Sequence, residues 1–325
     1  MYKTKIIRAK AQKEVFIMEE RIELNEQFEK LMQRANEIQR DCTDHIVTAH
    51  YMTMDNDLNL CFNGKCMPMS PVTTSGFCGK LGIPVAYFNR CAESNKTLAA
   101  LNVNNWLKDD NRKFLIREYR GYARGCLSGS YSKFDAPDLL KALDDVLDMS
   151  KYKIKGSLLN EERLHLRIVE KEMLPIDGED LFAGITIDSS DIGRSGLYVK
   201  FLIYKQVCTN GLILPKSSGE LFRRRHIGMT SEEFGKSLKE GLESFNDIKE
   251  KAIEMIKETK TIPMDVEEIN KYFTEEITEE IVTIADARYD RSRWGIINGI
   301  TEIAQNYTLE KRLAIEQLAG EILSK

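Results

Sequence analysis

The chain has 325 residues, of which 42% are hydrophobic and 30% charged, with a formal net charge of −4. This balance is typical of a folded globular protein and excludes a disordered chain, and no apolar run approaches the roughly 18 residues of a membrane-spanning helix. The seven cysteines have no framework spacing, which favours free thiols in a reducing compartment. No signal peptide is predicted, because no long apolar segment follows the basic N-terminus.

The N-terminal region is predicted to be mainly helical. Apolar residues at helical spacing predict an amphipathic helix over residues 14–40, which would contact the body of the protein or a second copy. Ser70-Pro71 begins a short helix, and two more helices are predicted over Val85–Cys91 and Leu98–Leu107. Trp106, in the last of these, is expected in the core.

A hairpin is predicted over Leu58–Met67, because Asn63-Gly64 favours a two-residue turn. This turn would bring two of the cysteines towards each other across the strands. One interpretation is a zinc site formed by Cys42, His45, Cys61 and Cys66. The spacing is not that of a zinc knuckle, and buried free thiols are the simpler interpretation. We therefore predict no metal and no cofactor.

Two basic strands are predicted over Phe114–Ser128, meeting at Gly121. Residues two apart share a face of a strand, so Arg120, Tyr122 and Arg124 are expected on one side. Arginine beside aromatic rings is the chemistry of single-stranded nucleic-acid binding, in which cations follow the phosphates and rings stack on the bases. The alternative is ordinary cross-strand pairing on the outer face of a sheet.

A second basic cluster follows the strand predicted to begin at Leu197. A turn is predicted at Asn210-Gly211, and residues 197–228 hold six Lys or Arg against one acid. The alternatives are a basic rim for a polyanion and an edge strand whose charges prevent aggregation. We expect this cluster to share a face of one sheet with the first.

The remaining segments predict the fold class. Asp135-Ala136-Pro137 begins a helix, and strands follow over Leu164–Glu170 and Leu181–Asp188 without intervening helices. Such a succession indicates an antiparallel or mixed sheet. From Met229 the pattern is helical, beginning with a capping box at Thr230-Ser231-Glu232-Glu233, and residues 229–282 hold fifteen acids against seven Lys.

We therefore predict an α+β fold, in which a central antiparallel or mixed sheet lies between an N-terminal helical region and a C-terminal helical unit. The expected regions are a mainly helical part with a small hairpin over 1–110, an α+β core with basic strands over 111–228, and an acidic helical part over 229–325.

Several stretches resemble the phage/plasmid-like family of uncharacterised proteins, whose domain has no known function. They are LGIPVAYFNRC (81–91), LNVNNWL (101–107), REYRGYARGCLSGSYSKFD (117–135), YKQVCTNGLIL (204–214), RRRHIG (223–228) and RWGIINGITEIAQ (293–305). Gly129-Ser130-Tyr131 departs from the acidic-basic pair that the family tends to have before the tyrosine. The resemblance implies a prophage or mobile-element origin, a role in recombination or replication, and the cytoplasm of a bacterial host.

The leading hypothesis is a non-catalytic protein that binds or anneals single-stranded DNA and forms a homo-oligomer through its helical ends. The candidate nucleic-acid-binding residues are Arg117, Arg120, Tyr122, Arg124, Lys133, Arg223, Arg224, Arg225 and His226. One alternative is a protein-interaction factor that uses the acidic C-terminal helices to engage a host protein. Another is a metal-dependent nuclease using Asp188 and Asp191, although no catalytic motif is present.

Overall fold

The computed structural model describes residues 28–148, 151–206, 210–224 and 230–325. Within these ranges the fold is α+β, with antiparallel sheets between N-terminal and C-terminal helices, as the sequence predicts. No helix of the described residues is long and apolar enough to cross a bilayer.

The first part of the described chain builds two three-stranded sheets on one apolar core. The helices are α1 (Phe28–Arg40), α2 (Pro71–Lys80), α3 (Val85–Ser94) and α4 (Lys96–Leu107), with a 3₁₀ turn at Ala49–Tyr51. The strands are β1 (Cys42–Thr48), β2 (Thr53–Met54), β3 (Leu60–Phe62), β4 (Lys65–Met67), β5 (Lys113–Tyr119) and β6 (Tyr122–Ser128). The strand orders are β1-β5-β6 and β2-β3-β4, and α2, α3 and α4 supply much of the core between them.

A larger sheet follows the helix α5 (Ala136–Val146). Its strands are β7 (Tyr152–Leu159), β8 (Leu164–Glu170), β9 (Leu181–Ser189), β10 (Leu197–Lys205), β11 (Asn210–Ile213) and β12 (Glu220–Arg224), and a short helix α6 (Lys216–Gly219) precedes β12. The order is β11-β10-β9-β8-β7, all antiparallel. The outer edge of β10 is shared, because β11 pairs with its C-terminal half and β12 with its N-terminal half.

Helices cover both faces of this sheet. They are α7 (Ser231–Glu243), α8 (Phe245–Thr259), α9 (Val266–Ile269), α10 (Glu275–Arg288), α11 (Arg293–Ala304) and α12 (Leu309–Leu323). Alternate β10 residues such as Val199 and Phe201 belong to the main core, whereas Leu202 and Tyr204 pack with Leu309 of α12 on the opposite face. The acidic C-terminal helices therefore cover the sheet directly.

Capping and turn residues in the sequence predicted correctly where two helices begin and where the β3–β4 hairpin turns. Ser70 caps α2, and Thr230 and Glu233 form the capping box of α7. In the β3–β4 hairpin Asn63 and Gly64 have φ of 51° and 74°, as a type I′ turn requires. The N-terminal helix is confirmed over Phe28–Arg40, and its predicted part before residue 28 lies outside the described residues.

Two local predictions are wrong. Asn210 and Gly211 are strand residues paired with Lys205 and Tyr204, not a turn. The Arg167 side chain packs directly against this glycine, since a Cβ atom at 211 would lie 2.8 Å from its guanidinium.

Trp106 is 57% exposed, because α4 turns the stripe that contains Ala99, Val103 and Leu107 towards the core and Trp106 lies beside that stripe. The predicted boundaries between the three regions of the chain, at residues 110 and 228, stay predictions. The β5–β6 pair packs mostly with the helices that precede it, in the core of the first part.

Candidate nucleic-acid interface

The turn between β5 and β6 brings two of the predicted residues, Arg120 and Tyr122, together with Tyr119 at the surface. Arg120 has φ of 47° and its side chain is 67% exposed. Its guanidinium lies 5.1 Å from the centre of the Tyr119 ring, and its Nε donates to Asp41 at 2.7 Å. Tyr122 stacks edge-on with Tyr119 and donates its hydroxyl to Glu161 at 2.7 Å. The turn is thus a cationic and aromatic tip whose charge is partly neutralised.

Arg117 is buried and surrounded by carboxylates. It donates to Asp44 at 2.9 Å through Nε and to Asp135 at 2.6 Å through Nη1, and Nη1 also reaches the Asp191 carbonyl at 2.9 Å. Burial opposes the charge, but the hydrogen bonds to Asp135 and Asp44 prevail and raise the pKa of Arg117. Its role in this conformation is to join β1 and β5 to α5, so it cannot contact a phosphate.

Arg124 is buried too, although the sequence predicted a shared outer face with Arg120. Its Nη1 donates to the Glu161 carbonyl and lies 3.9 Å from Asp191 Oδ2. A bulge between Arg117 and Glu118 shifts the register of the two strands, and their cationic side turns inward. Lys133 remains half-exposed at the margin of this network, 2.9 Å from Asp44.

Asp191 gives this network a pH dependence. Burial, with a smaller contribution from Asp135, raises its pKa from 3.8 to about 7. A raised folded-state pKa means that protonation stabilises the fold, and that this stabilisation is lost as pH rises from about 4 through 7. Asp191→Asn mimics the protonated acid. We therefore expect its free energy of unfolding, relative to that of the wild type, to increase by about 2 kcal/mol as the pH rises from 5 to 8.

Urea unfolding of both proteins at several pH values measures this gain. The difference between the two proteins isolates Asp191 from other groups that titrate. The exposed residue Asp144 provides the matched control, since Asp144→Asn makes the same substitution at the surface and should change stability by less than about 1 kcal/mol. If the difference in unfolding free energy between Asp191→Asn and the wild type does not change from pH 5 to pH 8, Asp191 does not have a raised pKa.

Arg223 and Arg224 lie on the edge strand β12 and are both exposed. Arg223 is 63% exposed and 3.9 Å from Glu220, and Arg224 lies 3.5 Å from Glu233. Arg225 and His226 lie outside the described residues. This cluster belongs to the larger sheet, whereas Arg120 belongs to the β1-β5-β6 sheet, so the expectation that both clusters share one sheet is wrong.

The acids considered for a nuclease already have partners. Asp188 is fully buried, and it accepts hydrogen bonds from Arg163 at 2.6 Å and Ser195 at 2.9 Å. Asp191 is buried beside Arg124. Neither carboxylate faces solvent, so the geometry does not favour a shared metal ion between them.

The structure does not bring together Cys42, His45, Cys61 and Cys66, the four residues considered as zinc ligands. Cys61 and Cys66 form a disulfide, which corrects the expectation that they are free thiols. Cys42 donates its thiol to the Ile38 carbonyl, and His45 pairs with Glu118 at 2.9 Å. These two side chains face other partners because β1 pairs with β5 and not with the hairpin.

A cationic surface that was not predicted from the sequence lies on β7, the edge strand of the larger sheet. The ammonium of Lys153 lies 3.7 Å from the centre of the Phe182 ring, and that of Lys155 lies 5.7 Å from the Tyr204 ring. Lys155 also contacts Gln206 at 3.3 Å. Neither lysine forms an ion pair with a residue of the described ranges. Burial and the neighbouring Lys155 lower the pKa of Lys153.

This lysine pair, Lys153 and Lys155 above Phe182 and Tyr204, is the strongest candidate surface for a polyanion. The Lys-Ile-Lys alternation was the available signal, since it places two cations on one face of a strand. Their aromatic neighbours come from strands about 30 and 50 residues later, which strand alternation alone does not locate.

Comparison with known proteins identifies the domain but not its activity. Neither a curated protein nor a solved structure matches the chain. A family model described as a domain of unknown function, DUF932, matches residues 124–317. This match begins in β6, contains the whole larger sheet, ends within α12 and spans more than half of the sequence. The chain therefore belongs to the DUF932 family.

Proposed function

We propose that this chain is a non-catalytic protein that binds or anneals single-stranded DNA in the recombination or replication of a phage or prophage. The observation that carries the proposal is the lysine pair, in which two cations without carboxylate partners among the described residues lie over two aromatic rings. Phosphate contacts supply most of the affinity of such proteins, and here the two ammonium groups would make them, since the rings below are buried.

The electrostatics of the pair favour an anion. Lys153 and Lys155 repel each other, and partial burial makes the charge of Lys153 more costly. A phosphate between them would relieve both effects. The lysine stems are flexible, so both ammonium groups can move to a phosphate while the Phe182 and Tyr204 rings below them stay buried in the core.

Further cations extend the surface that a strand of DNA would follow. Arg223 of β12 lies opposite Tyr198 of β10 in the register of the two strands. Its side chain therefore projects from the same sheet face as the lysine pair. Helix α12 lies on this face between them, held by Lys200 and Gln317 at 2.9 Å. A bound strand would therefore pass around α12 and would need several nucleotides to reach both sites.

The phage or prophage origin and the bacterial cytoplasm rest on the motifs of the sequence, such as REYRGYARGCLSGSYSKFD and RWGIINGITEIAQ. A homo-oligomer fits the same proposal, since annealing brings two strands together on neighbouring copies. The family model neither adds to these points nor opposes them.

The test is the binding of a fluorescent oligothymidine to the purified chain, followed by anisotropy over a range of salt concentrations. We expect tight binding at low salt that weakens steeply as salt rises. The double variant Lys153→Ala/Lys155→Ala should bind about tenfold or more weakly. The slope of log K against log salt should fall by about 1.4, because two phosphate contacts on a single strand are lost.

The matched control is Lys251→Ala/Lys257→Ala, which removes the same charge from exposed positions on the acidic helix α8. It should bind as the wild type does. Absence of binding at low salt, or equal loss in both double variants, would contradict the proposal. The first outcome would favour a protein partner for the acidic helices instead.

A further inference from the structure

The β3–β4 hairpin places two sulfur atoms within reach of one carboxylate. Cys61 and Cys66 are directly opposite in register, with Cα atoms 4.0 Å apart, and their sulfurs form a disulfide. Cys61 is half-buried and Cys66 is exposed. Solvent species can therefore reach both sulfurs.

The carboxylate belongs to Asp55, in the loop between β2 and β3. Its Oδ1 accepts hydrogen bonds from the backbone N–H groups of Asp57 at 2.9 Å and Asn59 at 2.8 Å. Its Oδ2 accepts from the Asn59 side chain at 3.0 Å and lies 4.0 Å from the Cys61 sulfur. The loop thus fixes the carboxylate with one oxygen turned towards the sulfurs before any ion arrives, which is how supporting hydrogen bonds orient metal ligands.

The spacing of these three ligand atoms fits a tetrahedral ion. The sulfurs and the carboxylate oxygen lie within 4.8 Å of one another. Zinc bonds of about 2.3 Å to sulfur and about 2.0 Å to oxygen at tetrahedral angles would place ligand atoms roughly 3.5–3.8 Å apart. Rotation of the cysteine side chains after reduction is enough to reach this geometry. Two thiolates favour Zn²⁺ over Mg²⁺ or Ca²⁺.

We propose that this hairpin is a redox-gated zinc site. In the disulfide form the sulfurs are bonded to each other and cannot bind the ion. A dithiol reductant transfers two electrons and two protons, becomes a disulfide itself and leaves two cysteine thiols. Zn²⁺ then binds Cys61, Cys66 and Asp55, displaces the two thiol protons and keeps a water as its fourth ligand. This proposal is independent of DNA binding.

The test uses Co²⁺ as a visible substitute for Zn²⁺ on the full chain. After reduction and removal of the reductant without oxygen, we expect one equivalent of Co²⁺ to produce thiolate charge-transfer and tetrahedral ligand-field absorption, which Zn²⁺ then abolishes. The untreated protein, with its disulfide verified by mass spectrometry, should give no such absorption. Absorption of equal strength from the disulfide form would overturn the proposal.

Variants separate the site from other thiols. Cys61→Ser and Cys66→Ser should each lose the charge-transfer absorption, and Asp55→Asn should weaken Zn²⁺ binding about tenfold or more. Cys42→Ser is the matched control, because it removes another partly exposed thiol outside the hairpin, and it should bind as the wild type does. Circular dichroism of each variant reports folding separately. Cobalt binding that survives Cys61→Ser and Cys66→Ser in folded protein would refute the assignment.

Discussion

Arg117→Met should lower the free energy of unfolding by about 3–5 kcal/mol, because it leaves buried carboxylates without their cation. Methionine keeps most of the length of the side chain, so the loss reports charge more than packing. Asp135 would be left without its cation, Asp44 would keep only Lys133, and Asp191 would lose a hydrogen bond to its carbonyl. Urea unfolding at pH 7 measures the change.

Two comparisons make this result specific to the buried charge. Arg120→Asn removes an exposed arginine from the adjoining turn, tolerates the positive φ there, and should cost less than about 1 kcal/mol. Adding Asp135→Asn to Arg117→Met should restore part of the lost stability, since one unpaired carboxylate is then removed. A loss for Arg117→Met no larger than that for Arg120→Asn would show that the network contributes little.

The second large effect is expected at Glu316, where helix α12 meets the larger sheet. Its carboxylate accepts from Arg167, which is wholly buried, and from Arg312 at 3.0 Å. Burial lowers the pKa of Arg167 to about 10, so this arginine is still charged at neutral pH. Glu316→Ala should therefore cost about 3–5 kcal/mol.

Glu310→Ala, on the same helix, provides the matched comparison. Glu310 is exposed and pairs with Arg194 at 2.6 Å, so its removal should cost less than about 1 kcal/mol. Denaturant unfolding of both variants, followed by tryptophan fluorescence, gives the two values. Similar losses would mean that Arg167 finds another partner or water once Glu316 is gone.

The features that the sequence predicted correctly depend on neighbouring residues. Asn63-Gly64 specifies its turn by backbone conformation, and Thr230 with Glu233 satisfies the first N–H groups of a helix. The succession of strands after α5 likewise required only alternation and turn residues. For such features the relevant partners lie within a few positions along the chain.

The errors concern contacts between distant parts of the chain. The sequence pattern predicts that Arg117 is a surface cation, whereas the fold pairs it with Asp44 and Asp135, which are 73 and 18 residues away along the chain. Asn210-Gly211 reads as a turn until Arg167 is packed against the glycine. Side chains of the same type are thus exposed or neutralised according to tertiary partners, which residue type and spacing do not reveal.

The position of α12 has a consequence for synthesis. The larger sheet is complete at Arg224, but the helix that covers its second face begins only at Leu309. During translation the nascent sheet must therefore expose Arg167 and the apolar residues Leu202 and Ile213 until α12 has emerged. Cotranslational folding would populate an intermediate with an uncovered face, and such intermediates are the species that chaperones bind and that aggregate when chaperones are scarce.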